Sequence, residues 1–184
     1  NQFISPLSNK RNDQYGGSLE NRIRLPLEIL SAMRAVLSAG KPLGIRISAV
    51  EWAAGGITIE ESVEFAKRLD AAGCDFIDVS SGGNSPKQKI ALKAGYQVPF
   101  AAAIKKAVKM PVMAVGLITE PQQAEDIVAS GQADMVALAR AMLYDPHWPW
   151  HAAAALGASV EVPRQYWRSR PREHPQLFGP SAHV

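Results

Sequence analysis

Two short segments contain residue types suited to binding a phosphate group, AVGLIT at 114–119 and LARAML at 138–143. Gly116 has no side chain, so the backbone there can approach a phosphate closely. The amides of Ala139 and Arg140 open a predicted short helical turn, and Arg140 adds a charged donor. Each residue alone has an ordinary interpretation, as a turn or a solvated side chain. Together they predict a site for a phosphomonoester.

A charged residue also stands inside an apolar strand pattern. In the segment LGIRISA, Arg46 and Ser48 alternate with aliphatic residues. Successive side chains of a strand point to opposite faces, so one face is apolar and the other carries the guanidinium. Burying that charge is costly unless an anionic or hydrogen-bonding group meets it. The sequence leaves two partners open, a carboxylate such as Asp78 on the next strand or a bound anion.

The other reactive side chains have structural interpretations. His147 and His151 are four residues apart but have no third ligand, so we expect packing or surface residues and no metal site. Cys74, at a helix-to-strand junction, is predicted to be a small core residue. Three aspartates at strand positions are predicted to be hydrogen-bonding groups and not acid–base catalysts: Asp75, Asp78 and Asp134.

The spacing of apolar residues predicts the elements that position these groups. A first helix covers about 18–38, with Ser18 as its N-cap and Gly40 after its end. Four short apolar runs then alternate with three helical patterns: the runs at 43–49, 75–81, 111–116 and 134–140, the helices at 59–72, 99–108 and 121–130. Two junctions, AAGCDFIDVS and ASGQADMVALAR, match each other, which indicates an internal βα repeat.

This alternation predicts an α/β protein with four parallel βα units and right-handed crossovers. The pattern alone is compatible with a doubly wound sheet and with a (β/α)8 TIM barrel. Four units are half of such a barrel, and a half-barrel has two open strand edges. We therefore expect either a partner that completes the ring or a preceding half outside this sequence. The polar opening without an initiator methionine favours the second expectation.

Composition excludes several classes of protein. The 184 residues are 47% hydrophobic and 20% charged, an ordinary globular balance. The net charge of +3 comes from dispersed residues except near the C-terminus, which argues against a nucleic-acid surface. No apolar run reaches the roughly 18 residues of a membrane span. The single cysteine excludes an intrachain disulfide or a four-thiolate cluster and, with no signal peptide, indicates a cytoplasmic protein.

The opening stretch, FISPLSNKRNDQYGGSLENRIRLPLEIL, closely resembles a segment of the Old Yellow Enzyme family of FMN-dependent oxidoreductases. The likeness is strongest to the short bacterial ene-reductase and xenobiotic-reductase branch, where this segment follows the fourth strand. It continues through GIRISAVEW, DFIDVSSGG, GYQVPFA, PVMAVGLIT and DMVALARAMLYDPHW to RQYWR, over about residues 2–170. The resemblance implies that residues 1–160 are the C-terminal half of an FMN-binding TIM barrel reduced by NAD(P)H, followed by a tail, 161–184.

The resemblance also assigns roles to individual residues. Arg46 matches a strand arginine that lies against the flavin pyrimidine edge, where positive charge stabilises the reduced flavin. Ala139 and Arg140 match the phosphate-binding pair after the last strand, and Val115 with Gly116 match the phosphate loop before it. Many relatives have glycine where Ala139 stands, but an alanine keeps the donor N–H.

The tail is expected to serve a neighbouring subunit. Arg168 matches a C-terminal arginine that, in this branch, reaches into the active site of the adjacent subunit, and Trp167 would form part of the same wall. This implies a homo-oligomer. The alternative interpretation is a flexible basic end, because arginines there are interspersed with prolines.

The family's substrate-holding histidines and catalytic tyrosine lie upstream of the matching segment, so we expect no catalytic residue in this chain. The first hypothesis is therefore part of an FMN-dependent NAD(P)H ene-reductase acting on activated C=C bonds of α,β-unsaturated carbonyls or related electrophiles, and inactive by itself. The alternative is a non-catalytic half-barrel that self-associates and binds flavin or phosphate. A phosphate-binding aldolase or isomerase is disfavoured, because no lysine lies within the predicted strand cores.

Overall fold

The computed structural model describes residues 1–179 and contains a four-stranded parallel sheet. The strands lie in chain order, and each pairs with the next: β1 (Gly44–Ser48), β2 (Phe76–Ser80), β3 (Val112–Val115) and β4 (Met135–Ala137). The predicted set of four parallel βα units is confirmed. β1 and β4 form the two edges of the sheet among the described residues.

Helices separate the strands as the apolar spacing predicts. The principal helices are α1 (Leu19–Val36), α2 (Ile59–Ala71), α3 (Val98–Lys105) and α4 (Pro121–Ala129). After β4 come the short α5 (Arg140–Tyr144), α6 (Trp148–Ala155) and a 3-10 turn (Arg164–Ser169). None of the helices between residues 1 and 179 is long and apolar enough to cross a membrane.

Local signals set most helix boundaries. The hydroxyl of Ser18 accepts a hydrogen bond from the Asn21 amide at 3.3 Å, and Thr58 forms a capping box with Glu61 at the start of α2. One boundary differs from the prediction. The last strand was expected to reach residue 140, but β4 ends at Ala137 because Arg140 already begins the next helix.

The two matching junctions have the same geometry. The Asp75 carboxylate accepts the backbone N–H of Leu43 at 2.6 Å, at the start of the preceding strand. Asp134 accepts the Val112 N–H at 2.8 Å in the equivalent position. Each carboxylate also pairs with a basic side chain. These two aspartates are hydrogen-bonding groups at strand ends, as predicted, and they tie neighbouring strands together.

The two faces of the sheet differ in chemistry. One face packs against the helices, and its central residues have no exposed surface: Ile77, Val79, Val112 and Ala114. The strand register places the other set of side chains on the opposite face, which we call the inner face. One inner layer contains Arg46, Asp78, Met113 and Met135, and the next contains Ser48, Ser80, Val115 and Ala137.

The polar opening segment is held by buried side chains. The Asn9 amide donates to the carbonyl oxygens of Phe3 at 2.6 Å and Tyr15 at 2.7 Å. The buried Arg22 guanidinium donates to Ile4 and pairs with Glu61. This segment therefore folds without an apolar run because its polar groups satisfy its own backbone.

Candidate functional site

A cavity of about 390 Å³ lies beside the carboxyl ends of β3 and β4. Segments 115–119 and 137–141 form two of its walls, and Tyr96 and Gln97 contribute from the loop after β2. Four of the residues predicted to bind a cofactor line it together: Val115, Gly116, Ala139 and Arg140. Residues that are more than twenty positions apart in sequence thus meet at one end of the sheet, where parallel α/β proteins bind ligands.

Backbone conformation shapes the wall at Gly116. This residue has a φ of +122°, and a Cβ added there would lie 2.7 Å from the Gln97 side-chain nitrogen. Its carbonyl accepts the N–H of Gly95 at 3.0 Å. Within residues 1–179, the N–H groups of Gly116, Leu117 and Ala139 donate to no other protein group. Backbone donors, these three among them, are therefore free in the walls of this cavity.

The Arg140 guanidinium adds positive charge to the same wall. Arg140 is exposed, and it forms no ion pair within the described part of the chain. Free backbone N–H groups and an unpaired guanidinium are the donor set that phosphate oxygens require. The chemistry of the cavity thus fits a phosphate group.

A partly buried hydrogen-bond relay links the loops after β1 and β2 to the end of β3. The Trp52 indole donates to the Ser81 hydroxyl at 2.8 Å, which donates to the Gln97 side-chain oxygen at 2.7 Å. The Gln97 side-chain nitrogen donates to the Val115 carbonyl at 3.2 Å. Sequence reasoning missed this relay, because its members are far apart in the chain and none is a typical catalytic residue. It fixes the wall at Val115.

Arg46 lies on the inner face, paired with Asp78. The guanidinium donates to Asp78 Oδ2 at 2.7 Å, so the carboxylate partner considered from the sequence is present. The Arg46 side chain is nevertheless 58% exposed, whereas that of Asp78 is 13% exposed. Burial raises the pKa of the Asp78 carboxyl, and the neighbouring Arg46 partly opposes that rise.

Arg46 does not line the phosphate cavity. It borders a separate cavity of about 340 Å³ beside β1, together with residues of α1 and the opening segment. Arg46 and Val115 still project from the same face of the sheet. The structure therefore places four of the five predicted cofactor residues in one cavity at the ends of β3 and β4, and Arg46 in another cavity at the edge opposite to β4.

A second buried cluster was also missed from the sequence. The Glu51 side chain has no exposed surface and accepts hydrogen bonds from the Ser5 hydroxyl and the Ile57 N–H, both at 2.9 Å. The Asn84 amide donates to the same carboxylate. These contacts fasten the opening segment to the loops after β1 and β2, so the role of this acid is structural.

The predicted subunit-contact residues lie in the 3-10 turn near the C-terminus. Trp167 and Arg168 are both exposed, and the Trp167 indole donates to the Val162 carbonyl at 3.3 Å. Neighbouring Tyr166 packs edge-on against Trp150 of α6, with ring centroids 5.2 Å apart. The turn is thus held against the last helix by aromatic contacts. Residues 180–184 of the predicted tail lie outside the described part of the chain.

The histidines and the cysteine have structural environments. The His147 ring lies 4.2 Å from the Trp150 ring, and His151 Nδ1 lies 2.6 Å from Asp145 Oδ2. Among residues 1–179, no three His, Cys, Asp or Glu side chains cluster in a way that could hold a metal ion. Cys74 is buried, and burial raises the pKa of its thiol.

Comparison with known proteins identifies the family. A family-wide sequence model described as the NADH:flavin oxidoreductase / NADH oxidase family matches residues 1–158. The chain belongs to this family. The resemblance to Old Yellow Enzymes is thereby confirmed. FMN is the cofactor of this flavin oxidoreductase family, with NAD(P)H as reductant.

Curated relatives show that the match is partial. An NADPH dehydrogenase of Geobacillus sp. (strain WCH70) is 48% identical over 168 residues, covering 91% of this chain and 48% of the relative. An NADPH dehydrogenase of Geobacillus thermodenitrificans (strain NG80-2) is 46% identical over 168 residues, with the same two coverages of 91% and 48%. The chain therefore spans about half the length of the curated flavin oxidoreductases it matches.

Solved structures confirm the fold. A 2-naphthoyl-CoA reductase complex superposes with a TM-score of 0.75 at 32% identity, covering 85% of this chain and 24% of that protein. The match to morphinone reductase in complex with tetrahydroNAD has a TM-score of 0.64 at 24% identity. It covers all of this chain and 48% of morphinone reductase. The four βα units of this flavin oxidoreductase chain thus correspond to half of a TIM barrel.

Proposed function

We propose that this chain supplies the flavin-phosphate half of an FMN-dependent NAD(P)H oxidoreductase. The observation that carries the proposal is the cavity at the ends of β3 and β4, where free backbone N–H groups meet the unpaired Arg140 guanidinium. Family membership supports a flavin phosphate as the ligand, because the family is one of flavin oxidoreductases. Arg140 and the amides of Gly116 and Ala139 would hold the ribityl phosphate.

The residues around the proposed flavin site have separate roles. Gly116 keeps side-chain atoms out of the wall, and the relay through Gln97 fixes the backbone at Val115. Arg46 presents positive charge on the inner face, which favours a reduced, anionic flavin. When bound, FMN supplies the hydride-transfer chemistry between NAD(P)H and a second substrate.

We propose an activated C=C bond as that second substrate, in an α,β-unsaturated carbonyl compound or a related electrophile. The support is the likeness of the opening segment to the short bacterial ene-reductase branch, together with the relatives named NADPH dehydrogenase. In the branch that this chain resembles, the histidines that hold the substrate carbonyl lie upstream of the matching segment, so the isolated 184-residue chain is expected to show little turnover.

The phosphate assignment is tested by comparing two flavins in the full-length protein that carries this chain. Arg140→Met removes one charged donor, worth about 1.5–3 kcal/mol, so the FMN dissociation constant should rise at least tenfold. Riboflavin has no phosphate, so its affinity should not change. Fluorescence titration of apoprotein measures both constants.

The matched control for this titration is Arg68→Met, an exposed arginine on α2 that pairs with Glu64 outside the cavity. It should leave the affinities for both flavins unchanged. Equal losses of FMN and riboflavin affinity in the Arg140 variant would show that Arg140 does not bind the phosphate. A full-length protein that binds no flavin would overturn the proposed function itself.

A second candidate function is a self-associating half-barrel that binds flavin without catalysis. It is favoured by one observation, the two sheet edges at β1 and β4. Sedimentation equilibrium of the 184-residue chain, monitored at the flavin absorbance, distinguishes the candidates. A flavin-containing dimer would support self-association, whereas a flavin-free monomer would favour the half-enzyme.

Two further parts of the proposal concern the whole protein. We propose a homo-oligomer in which Trp167 and Arg168 contact a neighbouring subunit, because both side chains are exposed while their turn is held against α6. Removing the Arg168 side chain should then change activity without changing the affinity for FMN. A cytoplasmic location remains a prediction from the single cysteine.

A further inference from the structure

Asp78 is a partly buried carboxylate with an unusual set of partners. One oxygen, Oδ2, accepts the Arg46 guanidinium at 2.7 Å. The other, Oδ1, is buried and has no hydrogen-bond partner among the described residues. On β3, the residue paired in register with Asp78 is Met113, whose side chain cannot donate a hydrogen bond. The carboxylate is therefore held by one ion pair alone.

These contacts of Asp78 do not hold neighbouring strands together. The other two strand aspartates, Asp75 and Asp134, each accept a backbone N–H from the preceding strand and so tie the strands together. Asp78 accepts no backbone N–H. Burying a carboxylate with one unsatisfied oxygen destabilises a fold, and an apolar residue of similar size often packs as well or better. Stability alone thus gives no reason for an acid at this position.

The geometry of Arg46 supplies a reason. Its side chain is 58% exposed on the inner face, and Asp78 is its one ion-pair partner among residues 1–179. The pair is formed through one guanidinium nitrogen, Nη1, and the remaining N–H groups make no other hydrogen bond in the described chain. The carboxylate holds one side of the guanidinium and leaves its other donors available on the inner face.

We propose that Asp78 is a positioning residue for Arg46. It fixes the guanidinium on the inner face, and its negative charge offsets part of the positive charge that a bound flavin would experience. This inference rests on the proposed function, which puts FMN at that face. A nearby positive charge favours reduced, anionic flavin. Asp78 weakens that effect, so it lowers the flavin midpoint potential relative to a site with Arg46 alone.

The test is the two-electron midpoint potential of FMN in the full-length protein that carries this chain. Asp78→Asn keeps the shape but removes the negative charge, so the potential should become more positive. A tenfold change in the affinity for reduced relative to oxidised FMN corresponds to about 30 mV for a two-electron couple. If the asparagine variant does not fold, Asp78→Ser is neutral and smaller, and the same shift is expected.

A double-mutant cycle separates positioning from a direct effect. Arg46→Met should lower the potential, and adding Asp78→Asn to that variant should produce a smaller shift than in the wild-type protein, because the part of the Asp78 effect that acts through Arg46 is already lost. The matched control is Asp75→Asn, which directly precedes the same strand and is also paired with an arginine. It should leave the potential unchanged while the protein still binds FMN.

The outcomes distinguish this inference from the function beneath it. A wild-type protein without flavin would overturn the proposed function. A flavin-bound Asp78→Asn protein with the wild-type potential would overturn the positioning role and leave the function standing. A shift of equal size in the Arg46→Met background would also overturn it, because Asp78 would then act independently of Arg46.

Discussion

The residues that make this sequence recognisable have mostly structural roles. Ser5 and Asn9 of the opening signature are buried, and their side chains hydrogen-bond within the opening segment and to Glu51. Arg22 of the same signature is buried and joins this segment to α2. The residues proposed to contact the cofactor occur instead in short, ordinary-looking segments at strand ends. A distinctive motif therefore identified the family without marking the site.

Gly116 provides a prediction at the residue scale. Gly116→Ala forces a side chain into a backbone of φ +122° and places its Cβ 2.7 Å from the Gln97 side-chain nitrogen. We expect a loss of stability of about 1–3 kcal/mol and weaker FMN binding, because strain and displacement of Gln97 both distort the wall. Urea unfolding and flavin titration of the full-length protein measure the two effects.

The matched control for this substitution is Gly131→Ala. Gly131 also has a positive φ, +73°, but an added Cβ would meet no atom within 4 Å, and the residue lies outside the cavity. It should lose stability through backbone strain alone and keep wild-type affinity for FMN. Unchanged FMN affinity in the Gly116 variant would contradict the assignment of that wall to the phosphate.

At the scale of elements, the two helix-to-strand junctions share one set of contacts: an aspartate pairs with a basic side chain and accepts a backbone N–H from the preceding strand. Asp134 pairs with Lys105 at 2.6 Å and accepts the Val112 N–H, and these contacts lower the pKa of its carboxyl, with the Lys105 hydrogen bond the largest cause. A depressed pKa in the folded state stabilises the protein above the unfolded pKa of about 4. That contribution is lost as the pH falls through the folded pKa.

Asp134→Asn should therefore destabilise the protein at neutral pH by about 1 kcal/mol, the usual net value of one hydrogen bond. The difference from wild type should shrink as the pH falls below about 4, because the wild-type carboxyl is then protonated. Urea unfolding across this pH range is the measurement. Glu125→Gln, exposed on α4, should show no such difference, and a pH-independent effect in the Asp134 variant would refute the mechanism.

The elements were predictable because their signals are local. The spacing of apolar residues located α1 to α4 within about one turn, and caps such as Ser18 fixed their starts. The end of β4 was placed too late, because the apolar run continues into a helix that begins at Arg140. The relay from Trp52 to Gln97 was not predictable, since only the folded sheet brings those loops together.

The same contrast applies to the candidate site. Glycine and arginine after strands indicated a phosphate site from the sequence, and the structure places Gly116 and Arg140 in one cavity. The separation of Arg46 from that cavity was not predictable. It depends on sheet order, which places β1 and β4 at opposite edges among the described residues.

At the scale of the whole molecule, half of a barrel leaves backbone groups unpaired. The Leu43 carbonyl accepts the backbone N–H of Asp75, and the Ala49 N–H donates to the Ser80 carbonyl. The backbone N–H and C=O groups of the odd-numbered residues in β1 therefore point toward β2. In a parallel ladder the alternate residues face the other side. The N–H groups of Arg46 and Ser48 therefore point to the open edge, where a complete barrel would supply another strand.

This geometry predicts a pattern of hydrogen exchange that depends on the length of the protein. In the isolated 184-residue chain, the amides of Arg46 and Ser48 should exchange much faster than that of Ile47, which faces β2. In the full-length protein all three should be protected, because the edge is then paired. Protection of all three in the isolated chain would instead mean that a second copy covers the edge, and the self-associating half-barrel would replace the half-enzyme as the better account.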